Sequence, residues 1–194
     1  KRTVKEREKY IMSLVNQMTL DEKIGMIHGA GLFRTAGVPR LGIPELHMSD
    51  GPMGVRQEFV DNDWKNVYDS DDTVTYLPSN SAIAATWNPK RAKECGEVLG
   101  AEARGRGKDV ILAPGINIKR TQLCGRNFEY FSEDPYLASQ MAASHIRGVE
   151  SQNIGTSLKH FAANNQEHRR MSCSSEIDER TFREIYLAAF EGAV

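Results

Sequence analysis

The sequence lacks the marks of a membrane protein, of a nucleic-acid-binding protein and of a repeat protein. Its apolar runs, such as residues 110–114, are far shorter than the roughly 20 residues of a membrane helix. The formal net charge is only −1, so no global field draws the chain to nucleic acid or to an anionic membrane. No segment recurs at a fixed period of about 20–50 residues, which argues against solenoids and propellers. We therefore expect neither nucleic acid nor a membrane as a partner, and a neutral, hydroxyl-rich ligand suits this charge balance.

Cysteine is also scarce. Cys95, Cys124 and Cys173 are odd in number and have no CxxC spacing, so they predict free thiols rather than a disulfide framework or a zinc site. The histidines show no ligand spacing such as HExxH, and we expect no metal and no cofactor. The chain has no Asn-x-Ser/Thr glycosylation acceptor, and its first residues are charged rather than apolar. These absences favour a bacterial cytoplasmic setting and leave secretion open.

Predicted strands and helices alternate along the chain. Two helical segments open it, and a capping-box pattern at residues 19–22 starts the second. The patterns then predict strands at residues 43–49, 109–114 and 155–161, and helices at residues 89–105, 135–150 and 178–194. Such alternation is typical of a (β/α) barrel or a doubly wound sheet, and both bind ligands at the carboxyl ends of their strands. Because a complete barrel takes about 250 residues, this chain is too short to close one.

Two polar clusters follow the first two of these strands. Within residues 49–56, Asp50 precedes a Gly-Pro turn at the mouth of a strand, where its carboxylate suits vicinal sugar hydroxyls. A turn-stabilising Asx motif is the alternative. Within residues 125–135, Arg126 supplies a fork-shaped donor, and an ordinary ion pair with Glu129 is the alternative.

A third cluster, residues 158–170, contains the adjacent Lys159 and His160 at a strand end. A surface lysine beside a hydrogen-bonded histidine is the alternative interpretation of this pair. The basic residues at 104–108 do not indicate nucleic-acid binding, because a positive helix C-terminus with a glycine cap explains them. The polar clusters after the strands are therefore the candidates for a ligand site.

Six strings occur in the order and at the spacing of one known family. They are MTLDEKIGMIHG, SDGPMGVR, LPSNSAIAATWNP, DVILAPGINIKRTQLCGRNFEYFSEDP, SLKHFAANNQEHRR and DERTFREIYLAAFEGAV. Together they resemble family 3 glycoside hydrolases, and the resemblance covers the chain from about residue 17 onward. It implies an α/β fold, a TIM-like (β/α)8 barrel of which residues 1–194 form roughly the first half. The rest of the barrel and a following α/β domain would lie outside this sequence.

The resemblance also implies a substrate, a β-glucoside or oligosaccharide, and the residues that contact it. It assigns substrate binding to Asp50, Arg126, Lys159 and His160, and a supporting role to Arg56 and Arg170. It places no catalytic residue in this chain. The nucleophilic Asp and the acid/base Glu of a retaining double displacement would lie beyond Val194, in a remainder of the same enzyme that packs against this part.

Lys159 and His160 pose a geometric problem, since neighbours on a pleated strand point to opposite faces. If both side chains are to reach one sugar, the backbone must be irregular there. A bulge re-aims one side chain, whereas a cis peptide brings successive Cα atoms to about 2.9 Å. We predict irregular backbone at this pair, with a cis bond as its specific form.

Other activities are alternatives to a β-glucosidase. A β-xylosidase of the same family stays open, because residues outside this chain can shape the pocket around a 6-hydroxymethyl group. The N-acetylglucosaminidase branch carries Gly-His-Gly in its Lys-His-Phe loop, whereas residues 159–165 read KHFAANN. A non-catalytic carbohydrate-binding fragment is the alternative of another class, although its unpaired strand edges would favour aggregation. A phosphate-binding (β/α) protein would need a glycine-rich loop at a helix N-terminus, and the motifs supply none.

Overall fold

The protein is an α/β structure built around a four-stranded mixed sheet. The computed structural model describes residues 2–56 and 73–194. The strands are β1 (Arg34–Thr35), β2 (Leu46–Asp50), β3 (Val110–Leu112) and β4 (Gly155–Thr156). The helices are α1 (Val4–Gln17), α2 (Leu20–Met26), α3 (Asn80–Ala85), α4 (Pro89–Gly105), α5 (Pro135–Glu150), α6 (Glu179–Thr181) and α7 (Ala188–Glu191). A π-helical stretch, Phe182–Leu187, joins α6 to α7, and short 3-10 turns lie at Pro39–Leu41 and Asn127–Glu129.

The sheet contains the first units of a β/α barrel. β2, β3 and β4 are neighbours in chain order and run parallel. Helices α3 and α4 connect β2 to β3, and α5 connects β3 to β4. β1 pairs antiparallel with β2 at the outer edge. A complete barrel has eight parallel strands, and the described residues form three of them. The expected α/β class and the incomplete TIM-like barrel are therefore confirmed.

The strands are shorter than the sequence patterns predict. β3 ends at Leu112, because Pro114 lacks the N–H donor that a ladder requires. The predicted strand at residues 155–161 is regular only over β4, and an isolated parallel bridge between Gly115 and Lys159 follows it. The polar residues of the site therefore lie just past the ends of the regular strands.

Helix starts follow the predicted caps. Thr19 and Glu22 form the capping box of α2, Asn88 caps α4, and Asp178 caps α6. The prediction of one continuous helix over residues 178–194 is wrong in detail, since a period of 3.6 residues does not reveal the wider π-helical turns. Helix α3 was not predicted, because its six residues are too few to show a period.

An apolar stripe on α1 and α2 is exposed in the described part of the chain. No residue of α1 is buried, and Val4, Ile11 and Ile27 are 61%, 55% and 84% exposed. The apolar face predicted for the first helix is half-buried at Leu14, Val15 and Met18, and the described residues leave its beginning uncovered. None of the described helices is both long and apolar enough to cross a membrane.

Helices α4 and α5 pack with their backbones in close contact. A Cβ atom added at Gly96 would lie 2.2 Å from the carbonyl oxygen of His145, and one added at Gly148 would lie 2.2 Å from that of Lys93. Only glycine fits at such distances. His145 has no solvent exposure in this crossing, and burial lowers the pKa of its ring to about 4, which keeps it neutral inside the core.

Gly148→Ala should lower the free energy of unfolding by about 2 kcal/mol, because the added methyl group forces α4 and α5 apart. Gly105→Ala is the control, since a Cβ atom there meets nothing within 4 Å, and alanine's helix propensity should make this change neutral or slightly stabilising. Urea unfolding measures both as shifts of the midpoint at constant slope. Equal midpoints for the two variants would show that the crossing accommodates a side chain.

Candidate functional site

A cavity of about 830 Å³ opens at the carboxyl ends of β2, β3 and β4. Of the six residues that the sequence singles out, five line it: Asp50, Arg126, Lys159, His160 and Arg170. The sixth, Arg56, does not line the cavity in the described part of the chain. Its backbone N–H donates to the Asp50 carbonyl at 2.9 Å, and its guanidinium lies 5.5 Å from the ring centroid of Phe33. Arg56 thus supports the turn after Asp50 through its backbone.

Asp50 is the last residue of β2, and a glycine turn holds its carboxylate. The Gly51 N–H donates to Asp50 Oδ1 at 2.9 Å. Gly51 has a φ of 124°, and a Cβ atom there would lie 1.7 Å from the Gly54 carbonyl oxygen, so this turn requires glycine. This bond goes to the next residue rather than to the N–H two residues on that defines an Asx turn. The carboxylate both bonds the turn and lines the cavity, so a structural role and a place in the site do not exclude each other.

Lys159 pairs with Asp50 across the sheet. The Lys159 ammonium donates to Asp50 Oδ1 at 2.6 Å, and only 12% of the lysine side chain is exposed. The interpretation of Lys159 as an ordinary surface lysine is therefore wrong. Burial raises the pKa of the Asp50 carboxyl, but the positive charge of Lys159 and its hydrogen bond outweigh that effect and hold this pKa below its usual range.

Glu129 joins the two cations of the site. Arg126 Nε and Nη2 donate to its two carboxylate oxygens at 2.6 and 2.8 Å, and Lys159 Nζ lies 3.6 Å from Glu129 Oε2. The ion pair raises the pKa of the Arg126 guanidinium. Arg126 forms the ion pair and still lines the cavity. The spacing from Arg126 to Glu129 indicated the pair, whereas nothing in the sequence connected Glu129 with Lys159.

The peptide bond between Lys159 and His160 is cis, and both side chains line the cavity. The predicted irregular backbone, with a cis bond as its form, is confirmed. A second cis bond that does not involve proline joins Phe161 to Ala162. Nothing in the sequence predicted this second cis bond.

The His160 ring is partly buried among charged and aromatic groups. Its Nδ1 lies 2.9 Å from the Tyr130 hydroxyl, and the two rings meet edge to face with centroids 5.8 Å apart. Burial, followed by the nearby positive charges of Arg126 and Lys159, lowers the pKa of the ring to about 4. At neutral pH the ring is therefore uncharged.

Buried amide side chains support the loop that follows His160. Asn117, which is 2% exposed, accepts the Asn164 N–H at 2.9 Å and donates to the Asn164 carbonyl and to Asn165 Oδ1, both at 3.0 Å. Arg170 bonds to Glu167 at 3.1 Å in the same loop. Arg170 lies in a recognisable motif of the sequence, whereas Asn117 was not predicted, because a lone asparagine after a strand carries no motif.

The site offers both hydrogen-bond donors and hydrogen-bond acceptors, and its charged side chains balance one another. Arg126 and Lys159 are balanced by the carboxylates of Asp50 and Glu129, and Arg170 is balanced by Glu167. In the part of the chain that the structure describes, no three His, Cys, Asp or Glu side chains are placed to hold a metal ion. Chemically, the arrangement suits a neutral ligand with several hydroxyl groups, each of which can donate and accept.

Sequence comparison finds relatives along nearly the whole chain. The model of the glycosyl hydrolase family 3 N-terminal domain matches residues 47–194. Thermostable beta-glucosidase B of Acetivibrio thermocellus is 50% identical over 184 residues, which are 95% of this chain and 24% of that protein. Exo-alpha-(1->6)-L-arabinopyranosidase of Bifidobacterium longum is 42% identical over 180 residues, 93% of this chain and 24% of that protein. The chain thus spans about a quarter of the length of these relatives.

Solved structures of similar proteins share the fold. Beta-glucosidase 3B from Thermotoga neapolitana, solved in complex with glucose, superposes with a TM-score of 0.85 at 42% sequence identity. The match covers 94% of this chain and 27% of that one. DesR, a beta-glucosidase from Streptomyces venezuelae also solved with D-glucose, gives a TM-score of 0.83 at 42% identity and covers 93% of this chain and 22% of that one.

Glu129→Ala should lower the free energy of unfolding by about 3 kcal/mol, because it leaves Arg126 and Lys159 close together without the carboxylate between them. Glu184→Ala is the control, since it breaks an ion pair with Arg180 whose side chains are 60% and 82% exposed, and it should cost less than about 1 kcal/mol. Thermal and urea unfolding measure both. Similar losses in the two variants would mean that Glu129 does not hold the site together.

Proposed function

Because the chain belongs to glycosyl hydrolase family 3, we propose that it forms the N-terminal part of the catalytic barrel of a β-glucosidase. In this role it binds the terminal glucose of a β-glucoside or oligosaccharide. The observation that carries the proposal is the convergence of Asp50, Arg126, Lys159 and His160 on one cavity at the carboxyl ends of the parallel strands. That is the end at which barrel enzymes place their active sites.

Each of these side chains has a distinct part in holding the sugar. In the described chain both hydrogen bonds to the Asp50 carboxylate end on Oδ1, so Oδ2 stays available to accept a sugar hydroxyl. Lys159 and Arg126 donate to hydroxyl oxygens while their charges stay balanced by Glu129. His160, neutral at the pH of most assays, adds a contact that carries no charge. Such bonds increase the rate where they tighten as the sugar ring flattens in the transition state.

The bond-breaking carboxyl groups come from elsewhere in the enzyme. In a retaining glycosidase one carboxylate attacks the anomeric carbon and a carboxylic acid protonates the leaving group, the two groups lying about 5–5.5 Å apart. We assign neither role to Asp50, because it is paired with Lys159, nor to Glu129, because it bonds Arg126 through both oxygens. The nucleophile and the acid/base residue then belong to the remainder of the polypeptide, which packs against residues 1–194 and completes the barrel.

A pentopyranosidase is the second candidate. The similarity to an exo-alpha-(1->6)-L-arabinopyranosidase over 93% of this chain supports it, and a β-xylosidase would act on a sugar of the same size. Such sugars lack the 6-hydroxymethyl group of glucose. Rates of the intact enzyme on aryl β-glucoside, β-xyloside and α-L-arabinopyranoside separate these candidates. A non-catalytic carbohydrate-binding protein would hydrolyse none of them.

Asp50→Ala in the intact enzyme should lower kcat/KM for an aryl β-glucoside by about 100-fold or more, because sugar hydroxyls lose a charged acceptor worth roughly 1.5–3 kcal/mol per bond. Asp109→Ala is the control. Asp109 accepts the His47 N–H at 2.8 Å at the opposite end of the sheet, and its loss should change kcat/KM by less than about twofold. If Asp50→Ala stays within a few-fold of the native enzyme, Asp50 is only a turn residue.

Residues 1–194 by themselves should show no turnover of an aryl β-glucoside, whereas the intact enzyme should hydrolyse it. The reason is that the two catalytic carboxyl groups are assigned to the remainder of the polypeptide. The release of aryl alcohol by each purified protein measures this directly. Turnover by the 194-residue protein that disappears in Asp50→Asn or Glu129→Gln would instead make one of these residues catalytic.

A further inference from the structure

Tyr130 lies behind His160 and does not line the cavity. Its ring is fully buried, and its hydroxyl is 2.9 Å from His160 Nδ1 and 2.9 Å from Asn164 Nδ2. The hydroxyl thus joins the ring in the cavity wall to a side chain of the supporting loop. A hydroxyl has one hydrogen to donate and an oxygen that can accept, so Tyr130 can donate to one of these two neighbours and accept from the other.

Glu167 determines the direction of the bond between Asn164 and Tyr130. Asn164 Nδ2 lies 2.9 Å from Glu167 Oε1, and an ionised carboxylate can only accept. Arg170 donates to the other oxygen of Glu167 at 3.1 Å, so both oxygens of this carboxylate have donors facing them. The Asn164 amide must therefore turn its NH2 group toward Glu167, and the second hydrogen of that group points to the Tyr130 hydroxyl.

The hydrogen of the Tyr130 hydroxyl determines the direction of its bond with His160. Because the Tyr130 hydroxyl accepts from Asn164, its own hydrogen needs another acceptor, and among the described residues the one remaining hydrogen-bond neighbour of the hydroxyl is His160 Nδ1. A proton on Nδ1 would leave the buried phenol hydrogen without an acceptor, which is costly, so Nδ1 is unprotonated and accepts this hydrogen. A neutral imidazole carries a single ring proton, and this proton is left on Nε2. The charged groups around the ring are Arg126, Lys159, Glu129 and Asp50, with a net charge of zero.

We propose that Tyr130 is a positioning residue that fixes His160 in the tautomer with its proton on Nε2, so that the ring presents an N–H donor to a sugar hydroxyl. The contact between His160 and the sugar rests on the proposed function. The tautomer itself does not, since it follows from bonds among Glu167, Asn164, Tyr130 and His160. Tyr130 acts on the substrate only through His160.

The first test reads the tautomer without any substrate. The intact enzyme, labelled with 15N-histidine and sedimented for solid-state NMR, should show His160 with a protonated Nε2 and a bare Nδ1. The His160→Gln variant identifies the signals by their loss. In Tyr130→Phe both tautomers should appear. Nδ1 protonation in the native enzyme would overturn the proposal, whether or not the enzyme hydrolyses a glucoside.

The second test is a double-mutant cycle on an aryl β-glucoside. Tyr130→Phe should lower kcat/KM about tenfold in the native background, as expected for one hydrogen bond. In the His160→Gln background it should cost less than about twofold, because glutamine has no tautomer to fix.

Tyr186→Phe is the matched control for this cycle. The Tyr186 hydroxyl accepts from Asn165 Nδ2 at 2.8 Å. It therefore supports the same loop as Tyr130, but the described hydrogen bond to the His160 ring comes from Tyr130. Its removal should have the same effect in both backgrounds. Equal losses for Tyr130→Phe in the two backgrounds would show that Tyr130 only supports the loop. If native enzyme does not hydrolyse any aryl glycoside, the proposed function fails while the NMR result still decides on the tautomer.

Discussion

Asp50, Lys159, Glu129 and Arg126 alternate in sign across the carboxyl ends of the parallel strands, and each charge is balanced by its neighbour. Charges in such a partly buried place are costly unless they are paired. The local backbone places the charges so that they pair. The glycine turn holds Asp50, and the segment that follows β4 places the Lys159 ammonium against the Asp50 carboxylate. A balanced set of charges can then receive a neutral, hydroxyl-rich ligand without a counter-ion.

Much of the frame around the site is local in the sequence and was therefore predictable. Asn88 ahead of a proline and Asp178 ahead of a helical pattern start helices where expected, because a cap and its first turn depend on adjacent residues. The cis bond at Lys159 was predictable for another reason, because two neighbouring side chains were required on one side. The bond between Phe161 and Ala162 met no such requirement, and its cis form could not be inferred.

The contacts that were missed are long-range. Asn117 and Asn164 are 47 residues apart, and Tyr130 and His160 are 30 apart, so no local spacing points to either pair. The opposite error arose for Arg126 and Asp50, where a structural role and a place in the cavity were treated as alternatives. The structure gives both residues both roles, because a side chain must itself be held in place before it can hold a ligand.

The bond between Lys159 and Asp50 joins residues 109 positions apart, and this separation has a consequence for the growing polypeptide. At a synthesis rate of roughly 5–20 residues per second, Lys159 is made about 5–20 s after Asp50. Until then the carboxylate lacks this ammonium and, among the described residues, has only the adjacent Gly51 N–H as a hydrogen-bond partner, and β3 lacks its parallel neighbour β4. The charged cluster at the strand ends is thus completed late in synthesis, because a nascent chain that ends before β4 does not yet contain Lys159.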